Sequence, residues 1–268
     1  MSFQPDTMLV HEVVPSPNHD ARAGGRAPDM LLLHYTGMFS AEGALKRLCS
    51  AEAKVSCHYF VTEEGRIIQC VPEERRAWHA GQGAWGNDTD INSCSIGIEI
   101  VNPGHDYGYP DFPRRQIAAV TALCRAILRR RLIKPERVLA HSDIAPVRKQ
   151  DPGEKFPWRT LHNAGVGHWV EPGPIKPGPS FERGNSGDGI RAFQSALRDY
   201  GYDVPVSGEF DERTRVAVIA FQRHFRPALC DGKLDSSTLV TLRRLIDALP
   251  DHRPSSLDTA LPLDDDKQ

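Results

Sequence analysis

Apolar positions in the first two-thirds of the chain switch between two repeat lengths. DMLLLHYTG is apolar from Met30 to Leu33 and then meets His34, a pattern that predicts a short buried strand. In SAEGALKRLCSAE, Leu45, Leu48 and Cys49 share one face behind Ser40, which predicts a helix with a serine N-cap. CHYFVTEEGRIIQCV holds two β-rich runs around Glu64-Gly65 and predicts a hairpin. CSIGIEIVN predicts another strand, bounded by Pro103-Gly104. The clearest helix is FPRRQIAAVTALCRAILRRRL. Ile117, Val120, Cys124, Ile127 and Leu128 recur at steps of three and four, and arginines occupy the other face and the C-terminal end. RVLAHSDI predicts a further strand. Strands alternating with helices predict a mixed α/β domain with a central sheet.

The pattern then breaks. VEPGPIKPGPSFERGNSGDG is rich in Pro, Gly and Ser and reads as a linker. Beyond it, IRAFQSALRDYGY, TRVAVIAFQRHF and KLDSSTLVTLRRLIDAL predict three helices. The expected organisation is a domain over residues 1–167, a linker over 168–187, a small three-helix domain over 188–250 and a disordered acidic tail over 251–268. The small domain contains an internal echo. Gly208-Glu209-Phe210-Asp211 with Thr214 resembles Asp231-Gly232-Lys233-Leu234-Asp235 with Thr238. In each, the Asp is expected to cap a helix and the Gly to permit the turn before it. Phe193, Leu197, Val218, Phe221 and Leu239 are its expected core.

Composition narrows the classes. The chain has 268 residues, 40% hydrophobic, with a formal charge of −2. That supports a sizeable core and gives no field to draw nucleic acid or an anionic membrane. No apolar run approaches the roughly 18 residues that would span a bilayer. The N-terminal MSFQPDTMLVHEVVPSPNHD lacks a basic region followed by an apolar one, so no signal peptide is expected. Six cysteines at positions 49, 57, 70, 94, 124 and 230 show no CxxC spacing and read as isolated buried thiols.

The candidate chemistry lies where apolar strands end. His34 follows LLL, Glu99 sits inside SIGIEIVN, and His141 follows VLA. In HSDIAPVRKQDPG, Lys149 and Asp151 are two apart on an extended piece, a spacing that turns both to one side. Pro152 biases Asp151 towards that extended backbone. Two imidazoles and a carboxylate with one position left open form a common catalytic zinc set. A separate carboxylate, Glu99, would serve as general base, and Lys149 would stabilise a developing oxyanion. Each residue also has a purely structural reading: a histidine closing a strand, Glu99 on a solvated edge, Asp151 in a turn, Lys149 as surface charge.

Four segments, LLLHYTG, AWHAG, SIGIEIVNPG and HSDIAPVRKQDPGEKFPW, resemble in order the signature segments of the type 2 N-acetylmuramoyl-L-alanine amidases, and among them the AmiD/AmpD group. The resemblance spans roughly residues 28–167. It implies the peptidoglycan-recognition-protein fold, a central mixed β-sheet flanked by helices with a zinc cleft on one face. It implies His34, His141 and Asp151 as ligands of one Zn²⁺ per chain, Glu99 as catalytic acid/base and Lys149 as transition-state stabiliser. The implied reaction cleaves the bond between N-acetylmuramic acid, or its anhydro form, and L-alanine of the stem peptide. His79, Tyr35, Asn102, Trp78 and Trp85 are candidate substrate contacts; His79 could equally bond a loop backbone, and the two tryptophans could fill the core. The small domain resembles the peptidoglycan-binding type 1 module, with peptidoglycan or muropeptides as the implied partners.

Two other functions stay open at this level: a non-catalytic muropeptide-recognition protein and a phage-type lytic amidase. Members of the wider fold superfamily that only bind typically lack a zinc ligand, so the full set of five favours the enzyme. The wall-binding module points to the cell envelope, whereas the absent signal peptide points to the cytoplasm.

Overall fold

The computed structural model describes residues 3–250. The predicted acidic tail over 251–268 lies outside the described residues. The strands are β1 (Glu12–Val13), β2 (His19–Ala21), β3 (Met30–Tyr35), β4 (Tyr59–Val61), β5 (Ile67–Gln69), β6 (Arg75–Ala77), β7 (Ser95–Ile100) and β8 (Val138–Ala140). The α-helices are α1 (Ala41–Leu48), α2 (Ile91–Cys94), α3 (Arg114–Arg130), α4 (His141–Ile144), α5 (Trp158–Asn163), α6 (Asp188–Tyr200), α7 (Glu212–Phe225) and α8 (Ser236–Asp247).

One sheet runs in the order β1-β5-β4-β7-β3-β8, and β2 pairs with β6 apart from it. In the main sheet β4 and β5 form the expected antiparallel hairpin, and the other neighbours are parallel. The sheet is therefore mixed. Period-two alternation sorts its residues. Leu31, Leu33, Ile96, Ile98 and Ile100 face α3 and bury its Ile117, Val120, Leu123, Cys124 and Ile127. Each such aliphatic side chain contributes about 1.5–3 kcal/mol when fully buried. Met30, Leu32, His34, Gly97 and Glu99 occupy the alternate positions and face the other side.

Two predicted elements end differently. RVLAHSDI is strand only to Ala140; HSDI is the helical turn α4. The reason is Asp143, whose carboxylate accepts the Ala140 N–H at 2.8 Å and closes a turn where strand pairing stops. Helix α1 stops at Leu48, capped at its start by Ser40 accepting from the Gly43 N–H. The thiols are unpaired as expected. They are less isolated than expected, since Cys57 and Cys70 are buried in one cluster with Cys49 packed against it.

In the three-helix unit the echo has a structural cause. Asp211 and Asp235 cap α7 and α8 by accepting the Thr214 and Thr238 N–H groups, each at 2.8 Å. Gln194 and Gln222, each following an Ala-Phe pair, accept the Gly208 and Gly232 N–H groups at 2.8 Å. The same glutamine amides donate to Thr214 and Thr238. This unit packs directly on the sheet domain. Met30, Leu32, Leu139 and Ile144 share one apolar core with Phe193, Leu197, Phe221 and Phe225. The Pro/Gly-rich connector is tied down as well: the Gly173 N–H donates to Thr241, and Phe181 pairs with Leu234. Among the described residues no helix is long and apolar enough to cross a membrane.

Candidate metal centre

Sheet register assembles the site. His34 on β3 sits opposite Glu99 on β7, and Leu33 sits opposite Ala140 on β8. The residue after Ala140, His141, therefore falls beside His34 on its other flank. β3 and β7 are central and β8 is the edge beside them, all three are parallel, and the site lies at their C-terminal ends. The turn after α4 returns the chain so that the Ser142 N–H donates to the Asp151 carbonyl at 3.0 Å. His34 Nδ1 lies 2.9 Å from His141 Nδ1 and 3.1 Å from Asp151 Oδ2, and His141 Nδ1 lies 3.0 Å from the same oxygen. All three residues are buried.

The surrounding hydrogen bonds fix where the protons are. His141 Nε2 meets the Ala80 carbonyl at 2.9 Å. A carbonyl only accepts, so Nε2 carries a hydrogen and Nδ1 is the atom turned towards His34 and Asp151. The His34 tautomer follows from a longer chain. The Ser95 hydroxyl donates to the Ile91 carbonyl at 2.6 Å. Its oxygen accepts from His79 Nε2 at 3.2 Å. His79 Nδ1 is then the acceptor for His34 Nε2–H at 3.0 Å. That leaves His34 Nδ1 with a lone pair. Burial, with His141 second, also lowers the His34 pKa to about 4, so the ring is neutral at pH 7. Two imidazole Nδ1 atoms and a carboxylate oxygen thus converge, a donor set suited to a cation. A tetrahedral ion about 2.0–2.1 Å from each donor needs separations of roughly 3.3–3.4 Å, so the cluster fits such an ion after opening by a few tenths of an ångström.

A cleft of about 450 Å³ opens over this cluster, lined by Tyr35, Trp78, His79, Glu99, Lys149 and Asp151. Glu99 Oε2 is buried and has no hydrogen-bond partner within the protein. Burial, followed by the Asp151 charge, pushes the Glu99 carboxyl well above its ordinary range, and Lys149 acts against that rise. A carboxyl in such a setting is a stronger base and holds its proton longer.

The predicted contacts divide. Tyr35, Trp78 and His79 line the cleft, and Tyr35 Oη lies 3.0 Å from His105 Nδ1. His79 also orients His34, which its strand-free motif did not reveal. Asn102 and Trp85 are not among the residues lining the cleft. Asn102 is buried, donates to the Pro110 carbonyl at 2.9 Å and accepts from the Gly104 N–H at 2.9 Å. Its hydrogen-bonding groups are used in holding the loop after β7. Trp85 is buried against Tyr200 and Tyr202 of the helical unit. Gly201 has φ +140° and leaves no room for a Cβ, which would fall 2.3 Å from the Trp85 ring.

Sequence reasoning missed Ser95, Gly97 and Asn92. A Cβ on Gly97 would lie 2.4 Å from the His79 ring, so only glycine lets that imidazole lie across β7. A glycine inside an apolar strand was the available signal. Asn92 Oδ1 accepts the His79 and Ala80 N–H groups at 3.1 and 2.8 Å and fixes the loop that supplies the Ala80 carbonyl.

Comparison with known proteins follows the same division of the chain. The family profile described as N-acetylmuramoyl-L-alanine amidase matches residues 24–154, and one described as a peptidoglycan binding domain matches residues 186–242. The N-acetylmuramoyl-L-alanine amidase AmiD of Escherichia coli strain K12 is 36% identical over 230 residues, which is 81% of this chain and 82% of AmiD. The structure of E. coli AmiD in complex with the substrate anhydro-N-acetylmuramic acid-L-Ala-D-γ-Glu-L-Lys superposes with a TM-score of 0.71 at 35% identity, covering 85% of this chain and 92% of that one. The crystal structure of AmpDh3 from Pseudomonas aeruginosa in complex with anhydromuramic pentapeptide gives a TM-score of 0.69 at 34% identity, covering 83% and 92%.

Proposed function

The chain belongs to the N-acetylmuramoyl-L-alanine amidase family, and from that premise we propose that it is a zinc amidase whose ion is held by His34, His141 and Asp151. Its substrate is the amide joining N-acetylmuramic acid, or the 1,6-anhydro sugar, to L-alanine of a peptidoglycan stem. The observation that carries this reading is the convergence of three buried ligand atoms, two imidazole Nδ1 and one carboxylate oxygen, at 2.9–3.1 Å. The anhydromuramyl ligands held by the E. coli and P. aeruginosa relatives support the anhydro sugar as one substrate.

When bound, zinc supplies Lewis-acid polarisation of the scissile carbonyl. The protein's own groups do the rest. His34 and His141 both turn Nδ1 towards the ion and keep Nε2 in hydrogen bonds to His79 and the Ala80 carbonyl. Glu99 takes a proton from the attacking water and delivers it to the departing amide nitrogen. The water oxygen forms the new C–O bond, the C–N bond breaks, and the products are a lactyl carboxylate and a free L-alanine amine. The Lys149 ammonium, in the same cleft, offsets the negative charge that grows on the carbonyl oxygen. The helical unit binds peptidoglycan weakly and raises the local concentration of stems.

The test is mass spectrometry of products from an anhydromuramyl tripeptide and from purified sacculi, each with and without a chelator. Free peptides beginning at L-alanine, lost on chelation and restored by zinc, are expected. Chelator-resistant release would remove the metal from the account.

A further inference from the structure

Asp143 is fully buried, two residues beyond His141, and both of its oxygens are engaged. Oδ2 accepts the Ala140 N–H at 2.8 Å and so closes the turn that presents His141. The remaining contacts come from the helical unit. His224 Nδ1 on α7 donates to Oδ2 at 2.6 Å, and the Tyr202 hydroxyl donates to Oδ1 at 2.7 Å. His224 is itself clamped, stacked between Trp158 at 3.7 Å and Phe225 at 3.8 Å. The preceding residue reaches the other ligand arm. Arg223 donates to Gln150 Oε1 at 3.1 Å and pairs with Glu154 at 3.4 Å. Gln150 and Glu154 bracket Asp151.

Consecutive residues of α7 therefore hold the two segments that carry His141 and Asp151. We infer that the helical unit is part of the metal centre's scaffold: His224 and Tyr202, acting through Asp143, are positioning residues that set metal affinity and turnover. This rests on the zinc reading above and goes beyond it. A unit that only tethers the enzyme to the wall would need no buried polar contact with the turn that bears a ligand. Its loss would also matter only on insoluble substrate. Three donors to one buried carboxylate instead fix the α4 turn, and partners beyond the ligands themselves typically change metal affinity or activity by about 10- to 100-fold when removed.

The experiment uses the full chain with His224→Ala, His224→Asn and Tyr202→Phe, and with Glu209→Ala as a control on the exposed face of the helical unit. Zinc dissociation constants are measured by chelator competition. kcat and KM are measured on a soluble anhydromuramyl tripeptide, below the unfolding temperature of each metal-free protein. The expected result for His224→Ala is a zinc dissociation constant raised about tenfold and a lower kcat with KM near wild type. His224→Asn keeps a donor at the Nδ1 position and is expected to recover most of both. If His224→Ala does not fold, Tyr202→Phe removes one oxygen only and is expected to move both quantities the same way by a smaller factor. Folded variants whose zinc affinity and kcat stay within twofold of wild type would overturn the inference and leave the helical unit a tether. A wild-type chain that binds no zinc would overturn the metal reading itself, a different outcome from equal binding by wild type and variants.

Discussion

Ser95→Ala removes one oxygen at the start of β7 and tests the proton order of the whole site. Ser95 accepts from His79 Nε2 at 3.2 Å, and His79 accepts from His34 at 3.0 Å. Without Ser95, the His79 Nε2–H faces no acceptor in a buried place. Leaving such a donor unpaired costs about 1–3 kcal/mol, which is a factor of roughly 5 to 150. His79 escapes by moving its proton to Nδ1. His34 Nε2 then loses its acceptor, and the His34 proton moves to Nδ1, into the ligand cluster, where zinc must displace it. The zinc dissociation constant at neutral pH is expected to rise by about tenfold or more. Chelator competition measures it, and the ¹⁵N shifts of the imidazoles in the metal-free protein report the tautomer change. Gly97→Ala perturbs the same link sterically, because its Cβ would start 2.4 Å from His79 Cγ and Nδ1; it should weaken zinc binding in the same direction. Folded variants of both kinds with zinc affinity within twofold of wild type, and with unchanged imidazole shifts, would refute the proton order.

Glu99→Gln should keep zinc and lower kcat by about 10²–10⁴; loss of zinc would make Glu99 a ligand instead. Because burial raises the Glu99 pKa from 4.5, the folded metal-free chain holds that proton more tightly than the unfolded one. Its stability contribution is intact below about pH 4.5 and falls as pH climbs through the raised pKa. The unfolding temperature of Glu99→Gln relative to wild type should therefore increase from pH 4 to pH 8, and a flat difference would reject the raised pKa. Lys149→Ala should retain zinc and lose about 10² in kcat; an unchanged rate would remove it from oxyanion stabilisation. Asp211→Ala should cost about 1 kcal/mol as a lost cap, whereas Asp235→Ala should cost clearly more in urea unfolding. Asp235 also faces the buried Arg226 guanidinium at 3.3 Å, with Asp231 farther off at 4.0 Å, and removing the nearer partner of a buried charge is expensive; equal costs would deny that pairing.

Much of this was readable from local pattern. The strand-end positions of His34, Glu99 and His141 followed from apolar runs, and their meeting followed once those strands were neighbours in one sheet. Lys149 and Asp151 face one cleft as their two-residue spacing suggested. The paired turns of the helical unit were visible as Gly and Asp at matched offsets, although the glutamines that bind those turns, Gln194 and Gln222, were not. What stayed hidden depends on contacts far apart in sequence. The helical start at His141 needed Asp143, a residue that reads as an ordinary polar position until its partners on α7 are known. Trp85 read as a sugar platform or core, and only the approach of Gly201 decides between them. The Pro/Gly composition of the connector described its backbone and said nothing of Gly173 and Phe181 finding partners on α8 and the turn before it.

The central claim is that two imidazoles and one carboxylate hold a single catalytic zinc. Zinc K-edge X-ray absorption on the zinc-loaded chain tests it most directly. The account predicts a shell of nitrogen and oxygen at about 2.0–2.1 Å with the outer scattering of two imidazoles, and no sulfur. A shell near 2.3 Å from thiolate, or the signature of fewer than two imidazoles, would contradict it.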